Sequence, residues 1–139
     1  MKRFLLLAAA ALLSVAVSAQ TLSLKVPENV PEAAREVLVQ RFTQMLQGAG
    51  VEVGEAGETL IVEGVVTDRM ETPGSSSQTA LSIDVKASLV RDGEGLVENT
   101  WPVKGVGSDA DDAWLRAAKQ ILPRSKAAQT FMDALKTKF

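Results

Sequence analysis

The side chains that most often carry catalysis are missing from this chain. Its 139 residues include no histidine, no cysteine and no tyrosine. That removes the commonest general base near neutral pH, the strongest nucleophile, the usual transition-metal ligands and the phenol acid. Serine with lysine, or a pair of carboxylates, is what remains, and no spacing points to either. The residue types therefore predict a protein that is not an enzyme and takes no metal or cofactor.

A few clusters still invite a chemical reading. Asp109, Asp111 and Asp112 could resemble a calcium loop, but such a loop needs ligands at alternating positions, a glycine and a later glutamate. Here Ala113 and Trp114 continue a helical pattern instead, so the acidic run reads as first-turn charge favoured by the helix dipole. Gly105 and Gly107 ahead of a helix suggest a phosphate-binding turn. The third glycine and the P-loop lysine are absent, and three aspartates would repel an anion. A tight strand-to-helix connection is the better reading. Trp101 and Trp114 could stack on a sugar, but both fall on faces predicted to point inward, where core packing explains them. Phe139 matches the aromatic end of many outer-membrane barrels, yet the residues before it are helical in pattern. Lys119, Arg124, Lys126, Lys136 and Lys138 read as a solvated face.

The elements that must position these residues follow from periodicity. Ala110, Ala113, Trp114, Ala117, Ala118, Ile121 and Leu122 recur at helical spacing along the stretch Gly105 to Leu122. Ser108 stands at the expected N-cap, with Asp111 three residues on as its capping-box partner. Upstream, Thr21 to Val26 alternates as a strand. Pro31 suits a first helical position. Ala34, Val37, Leu38, Phe42, Met45, Leu46 and Ala49 form a second stripe, ended by a left-handed cap at Gly50. Val51 to Val53 opens a further strand that Gly54 to Glu58 interrupts, and Thr59 to Asp68 is a firmer one.

Arg69 to Gln78, with Pro73, Gly74 and three serines, predicts a long, mobile, exposed hairpin loop. Thr79 to Arg91 alternates most cleanly, with Leu81, Ile83, Val85, Ala87 and Leu89 on one face. Asp92 to Gly95 closes a short hairpin, and Leu96 to Lys104 returns with Val97, Trp101 and Val103 inward. Pro102 cannot donate to a ladder and assigns that strand to an edge or a bulge. A last helix follows Pro123, capped by Ser125, with Ala127, Ala128, Phe131, Ala134 and Leu135 inward. The sum is a two-layer α/β (α+β) sandwich of order β-α-β-β-β-α-α, its sheet mostly antiparallel and its helices on one face.

The N-terminus reads as an export signal over residues 1–19. Lys2 and Arg3 precede an apolar core from Phe4 to Leu13, and Val17-Ser18-Ala19 supplies small residues at a cleavage site. The core is too short for a transmembrane span. Removal leaves one domain, 20–139, with 13 basic and 17 acidic residues and a net charge of −4. Mild acidity argues against nucleic acid. No later segment is apolar enough to span a bilayer, and without cysteine there is no residue for a lipid anchor. The expected location is the periplasm or the exterior.

Several local patterns occur together: Val30-Pro31-Glu32-Ala33-Ala34 opening a helix, Thr72-Pro73-Gly74 in a hairpin, Val97-Glu98-Asn99 in a strand, and Gly105-Val106-Gly107-Ser108 with Ala113 and Ala117. As a set they resemble an uncharacterised family of short exported bacterial proteins. More loosely, a strand entering G-x-G-x-[S/T] and an Ala-rich helix is similar to the small α/β domain of envelope assembly proteins. The amino-terminal domain of TolB, the LpoB-type activators of penicillin-binding proteins and the curli secretion protein CsgG are of that kind. The resemblance implies a structural or assembly role and supplies no catalytic residue.

The expectation is an exported, non-enzymatic cell-envelope binding or assembly module whose partner is another envelope protein. Its candidate interaction loop is Met70, Thr72, Pro73, Gly74 and Ser75. Gly105, Gly107, Ser108, Asp111 and Trp114 are its structural residues. The alternative is a small-ligand carrier with a pocket between sheet and helices.

Overall fold

A computed structural model describes residues 20–55, 57–74 and 77–138. The expected signal segment 1–19, Ser75 and Phe139 lie outside them. Five strands form one sheet: β1 (Gln20–Lys25), β2 (Val51–Val53), β3 (Glu58–Thr72), β4 (Gln78–Arg91) and β5 (Glu94–Gly107). Three helices accompany them: α1 (Glu32–Gly48), α2 (Ala110–Ala118) and α3 (Lys126–Lys136). The chain is thus the expected α/β sandwich, with the short β2 as an additional strand. Strand order is β2-β1-β3-β4-β5, with β1 parallel to both neighbours and the longer β3-β4-β5 meander antiparallel.

Strict alternation fixes which face is buried. On β4, Leu81, Ile83, Val85, Ala87 and Leu89 are buried under the helices. The alternate positions are only partly covered. From α1, Ala34, Leu38, Phe42, Met45 and Leu46 fill the same layer. Trp101 of β5 joins Phe42 and Phe131 in two edge-to-face contacts, with ring centroids 5.3 and 5.4 Å apart. Such pairs add to area burial because the positive ring edge meets a negative face. The Trp101 indole Nε1 is buried without a hydrogen-bond partner among the described residues.

The turns obey local chemistry. Asp92 and Gly93 both have positive φ, 52° and 79°, which is the two-residue turn that matches strand twist. Gly50, at φ 80°, follows the Ala49 C-cap of α1 as the αL residue. Pro31 is the N-cap of α1 and not its first helical residue. Ser125 caps α3 by accepting from the Ala128 N–H at 3.2 Å.

Four further expectations need correction. First, the cap of α2 is Asp109, not Ser108: its carboxylate accepts from the Asp112 N–H at 2.8 Å. The return bond comes from Asp112, whose Oδ2 accepts from the Ser108 N–H at 3.0 Å. The box is therefore shifted by one residue, and Asp111 takes no part in either bond. Aspartate caps as well as serine, and strand β5 holds the backbone extended to Gly107, so the helix starts later.

Second, α2 ends at Ala118. The chain then turns, Ile121 stays buried and Leu122 is 53% exposed. Third, the inward side of α3 is Ala128, Phe131, Met132 and Leu135, while Ala127 and Ala134 face out. Long side chains outcompete alanines for the same layer because they bury more apolar area. Fourth, Arg69 to Thr72 is not loop. β3 continues through Thr72 opposite Gln78, so the connection is only residues 73–77. No residue from Arg69 to Thr72 breaks a strand, and β4 offers a partner for each. The breakers begin at Pro73.

Candidate interaction surface

Local packing decides where the helix layer can sit. At Gly105 a Cβ would collide with the Ala113 carbonyl oxygen, and at Gly107 it would lie 2.5 Å from the Asp112 Oδ2. These two glycines let α2 lie against the backbone of β5. Gly64 of β3 does the same for the far end of the Trp114 ring, which a Cβ there would strike. Trp114 is 6% exposed and Ala113, Ala117 and Ala118 are buried beside it. So α2 is fixed over β4 and β5, and its tryptophan reaches across to β3 at Gly64.

Cover stops there. Leu60, Val62 and Gly64 point into the core, but all eight residues from Val65 to Thr72 are exposed. Val65 is 56%, Val66 42% and Met70 66% exposed. Directly opposite, Leu81 and Ile83 of β4 remain buried. A bulge between Val66 and Asp68 leaves Thr67 as the additional residue, and its hydroxyl donates to the Ser82 carbonyl at 3.1 Å. Beyond the bulge, Arg69 and Glu71 take the helix side, where the Arg69 guanidinium donates to the Glu71 carboxylate at 2.5 and 3.2 Å. Met70 takes the outer side. Its cross-strand partner Ala80 pairs in turn with Val106, which is 48% exposed. Met70, Ala80 and Val106 form an apolar row across three strands on the side away from the helices.

The edges of the sheet differ in the same way. On β5, Pro102 has no N–H, and the Gln120 side chain bonds both the N–H and the carbonyl of Lys104. That amide stands in for a missing strand. The β2 edge is three residues long. On β3, strand β1 pairs only with residues 58–61, and the Asn29 side chain donates to the Gly64 carbonyl at 3.4 Å. From Val65 to Thr72 no strand lies on that side among the described residues. The first half of β5, from Glu94 to Trp101, is likewise without a further strand among them, but there the outer side chains are polar apart from Leu96, whereas the β3 edge adjoins the apolar row through Met70.

The structure places the sequence-chosen residues in two groups. Met70 and Thr72 are on the bare strand, and Pro73 and Gly74 (φ 125°) follow in the connection. Gly105, Gly107, Ser108, Asp111 and Trp114 belong to the β5–α2 junction beside it. Ser77, Gln78, Ser108, Asp109 and Ala110 share a shallow depression with Arg69, Glu71, Thr72 and Pro73, so the junction and the hairpin tip are neighbours. Sequence reading missed Val65, Val66 and Val106. Their apolar character at nominal strand positions was visible, but nothing in a sequence says where a helix layer ends.

Electrostatics here is structural. The Ser108 N–H bonded to Asp112 holds that carboxyl below its ordinary value of 3.8, with Arg116 assisting. Glu58 is lowered from 4.5, first by its own backbone N–H and then by Arg91. Arg91 also donates to the Lys138 carbonyl at 2.7 Å, joining the start of β3 to the C-terminal end of α3. Among the described residues no group of three or more acidic side chains is placed to hold a metal ion. No helix described is long and apolar enough to cross a membrane. A surface cleft of about 760 Å³ lies between α1 and α3, with Met45, Leu122 and Met132 beside Arg124, Asp133 and Lys136. It lies outside the layer between sheet and helices, where the buried core residues pack together.

No protein-family model matches the chain, and no curated protein matches it. Among solved structures it is similar to a minor lipoprotein from Acinetobacter baumannii, at 17% identity and TM-score 0.41, covering 86% of each chain. It is similar to a Caulobacter crescentus CB15 protein provisionally described as a lipoprotein, at 18% identity and TM-score 0.49, covering 91% of this chain and 96% of that one. The rare lipoprotein B from Shewanella oneidensis gives 16% identity and TM-score 0.37, covering 86% and 93%. These neighbours are bacterial lipoproteins, whereas this chain has no cysteine. None of the comparisons joins it to the family of short exported proteins that its local patterns resemble.

Proposed function

We propose that this chain is an exported, non-enzymatic module of the bacterial cell envelope that works through protein–protein contacts. The contact surface is the far part of the β3–β4 hairpin, residues 65–72, with the adjoining outer face at Ala80 and Val106. One observation carries the reading: eight consecutive strand residues, Val65 to Thr72, are exposed beside a bare edge and next to an apolar row on the outer face. A sheet edge presents unpaired N–H and C=O groups at strand spacing, which is the recognition mode of strand addition. The apolar row through Met70 offers side-chain burial on one face of any added strand. The absence of histidine, cysteine and tyrosine from the sequence supports a binding role over a chemical one. An export signal at residues 1–19 puts that role outside the cytoplasm.

A photo-crosslinking side chain at position 70, compared with one at the exposed Gln129 of α3, tests this in an envelope extract. Crosslinks to a reproducible envelope protein from position 70 and not from 129 are expected. Equal labelling from both positions, or turnover of an envelope substrate by the purified protein, would count against the reading.

A further inference from the structure

We infer that the bare β3 edge pairs with the same edge of a second copy of this chain, antiparallel and centred on Met70. The inference rests on the contact surface proposed above and adds its occupant and register. A continuous antiparallel sheet across a two-fold axis places one residue opposite itself, with its neighbours paired symmetrically about it, and opposed residues share a face. The free segment then admits few registers, and its charges choose among them. Centring on Asp68 sets two aspartates face to face, centring on Arg69 opposes two arginines, and centring on Glu71 opposes two glutamates. Like charges directly opposite destabilise a strand pair.

Centring on Met70 does the reverse. Arg69 of each copy faces Glu71 of the other, twice, and the two intrachain Arg69–Glu71 pairs merge into one four-charge cluster on the helix side. On the outer side Met70 meets Met70, extending the Met70–Ala80–Val106 row into a stripe across both sheets. Asp68 meets Thr72, which can donate its hydroxyl. The ladder uses residues 68–72, clear of the bulge at Thr67 and of Asn29 at Gly64, so nothing on the covered part of the edge obstructs it. The two five-stranded sheets become one. Such a ladder is short, at the weak end of protein–protein interfaces, so a dimer that grows with concentration is expected.

Sedimentation velocity of the purified protein from about 5 to 500 µM tests the association, and charge exchange tests the register. Arg69→Glu places glutamate opposite Glu71 and should weaken the dimer by about tenfold or more. The double exchange Arg69→Glu with Glu71→Arg should restore it. A dimer indifferent to Arg69→Glu would overturn the register. Because the chain has no cysteine, Met70→Cys provides a second readout. Directly opposed residues lie within disulfide reach, so this variant should oxidise to a covalent dimer about tenfold faster than Asp68→Cys, which faces Thr72. Equal rates would also overturn the register. A protein that stays monomeric throughout the range overturns the self-pairing. If position 70 still crosslinks to an envelope protein in that case, the proposed function stands without it; if it does not, both fail.

Discussion

The two parts of β3 come from similar residues and pair with the same strand, yet they have opposite surroundings. From Glu58 to Gly64 the strand has β1 and then the Asn29 side chain on one side, β4 on the other and helices over one face. From Val65 to Thr72 it keeps only β4. Valines occur in both, so hydrophobicity does not separate them. What does is the reach of other elements: β1 ends at Lys25, and α2 is held over β4 and β5 by the glycines beneath it. Exposure of an apolar strand residue is therefore a property of its neighbours, and a protein can use that to leave an edge available.

The contrast can be broken by substitutions whose effects should fall in a definite order. Trp114→Ala removes the side chain that closes the covered part at Gly64, and should lower stability by about 3–5 kcal/mol in chemical denaturation. A change under 1 kcal/mol, measured on the ordinary scale of surface substitutions, would mean that the ring is not what covers β3. Gly105→Ala forces α2 off β5 because the added methyl meets backbone, so a loss of about 3 kcal/mol is expected in the same experiment. Wild-type stability there would show that the helix has room to shift. Gln120→Ala uncovers the β5 edge at Lys104 and should cost about 1 kcal/mol, with faster amide exchange at Lys104 as the local signature.

Acid sharpens the comparison at the covered end. Glu58 and Asp112 both have folded-state values below their ordinary ones, so the unfolded chain takes up protons first. Their contribution is fully present above those ordinary values and is lost as pH falls through the lower folded ones. Thermal unfolding should show a decline on that acid side which Glu58→Gln makes shallower; an unchanged slope would remove Glu58 from the account. The smallest effect belongs to the bare part. Met70→Ser should leave monomer stability within about 0.5 kcal/mol, since the side chain is already in solvent. A larger loss would show that Met70 packs within its own chain.

Much of the fold was legible because the relevant forces are local. Alternation along Thr79 to Arg91 marked the buried face of β4, Asp92-Gly93 marked its turn, and Pro102 marked β5 as an edge. The Ser125 cap and the αL Gly50 were equally plain. The misplacements came where two local solutions were nearly equivalent. Ser108 and Asp109 both make good caps, and the extended backbone of β5 chose between them. In α3, Ala134 and Met132 both continue an apolar pattern, and the depth of the layer chose Met132. Pro73, Gly74 and the serines that follow signalled a loop of the right kind, but the partner strand at Gln78 to Leu81 set its length.

The candidate surface was only half legible, for a physical reason. Residue types alone excluded imidazole, thiol and phenol chemistry, since no folding can supply an absent group. They also set the two-layer class, because periods of 2 and 3.6 residues say which faces must be buried. They could not say that β1 stops short of Val65, or that α2 covers β4 and β5 but not the end of β3. Those are matters of where separate elements lie relative to one another. Burial and edge pairing depend on contacts between residues far apart in the chain, and only the assembled sheet and helices decide which strand is left without a neighbour.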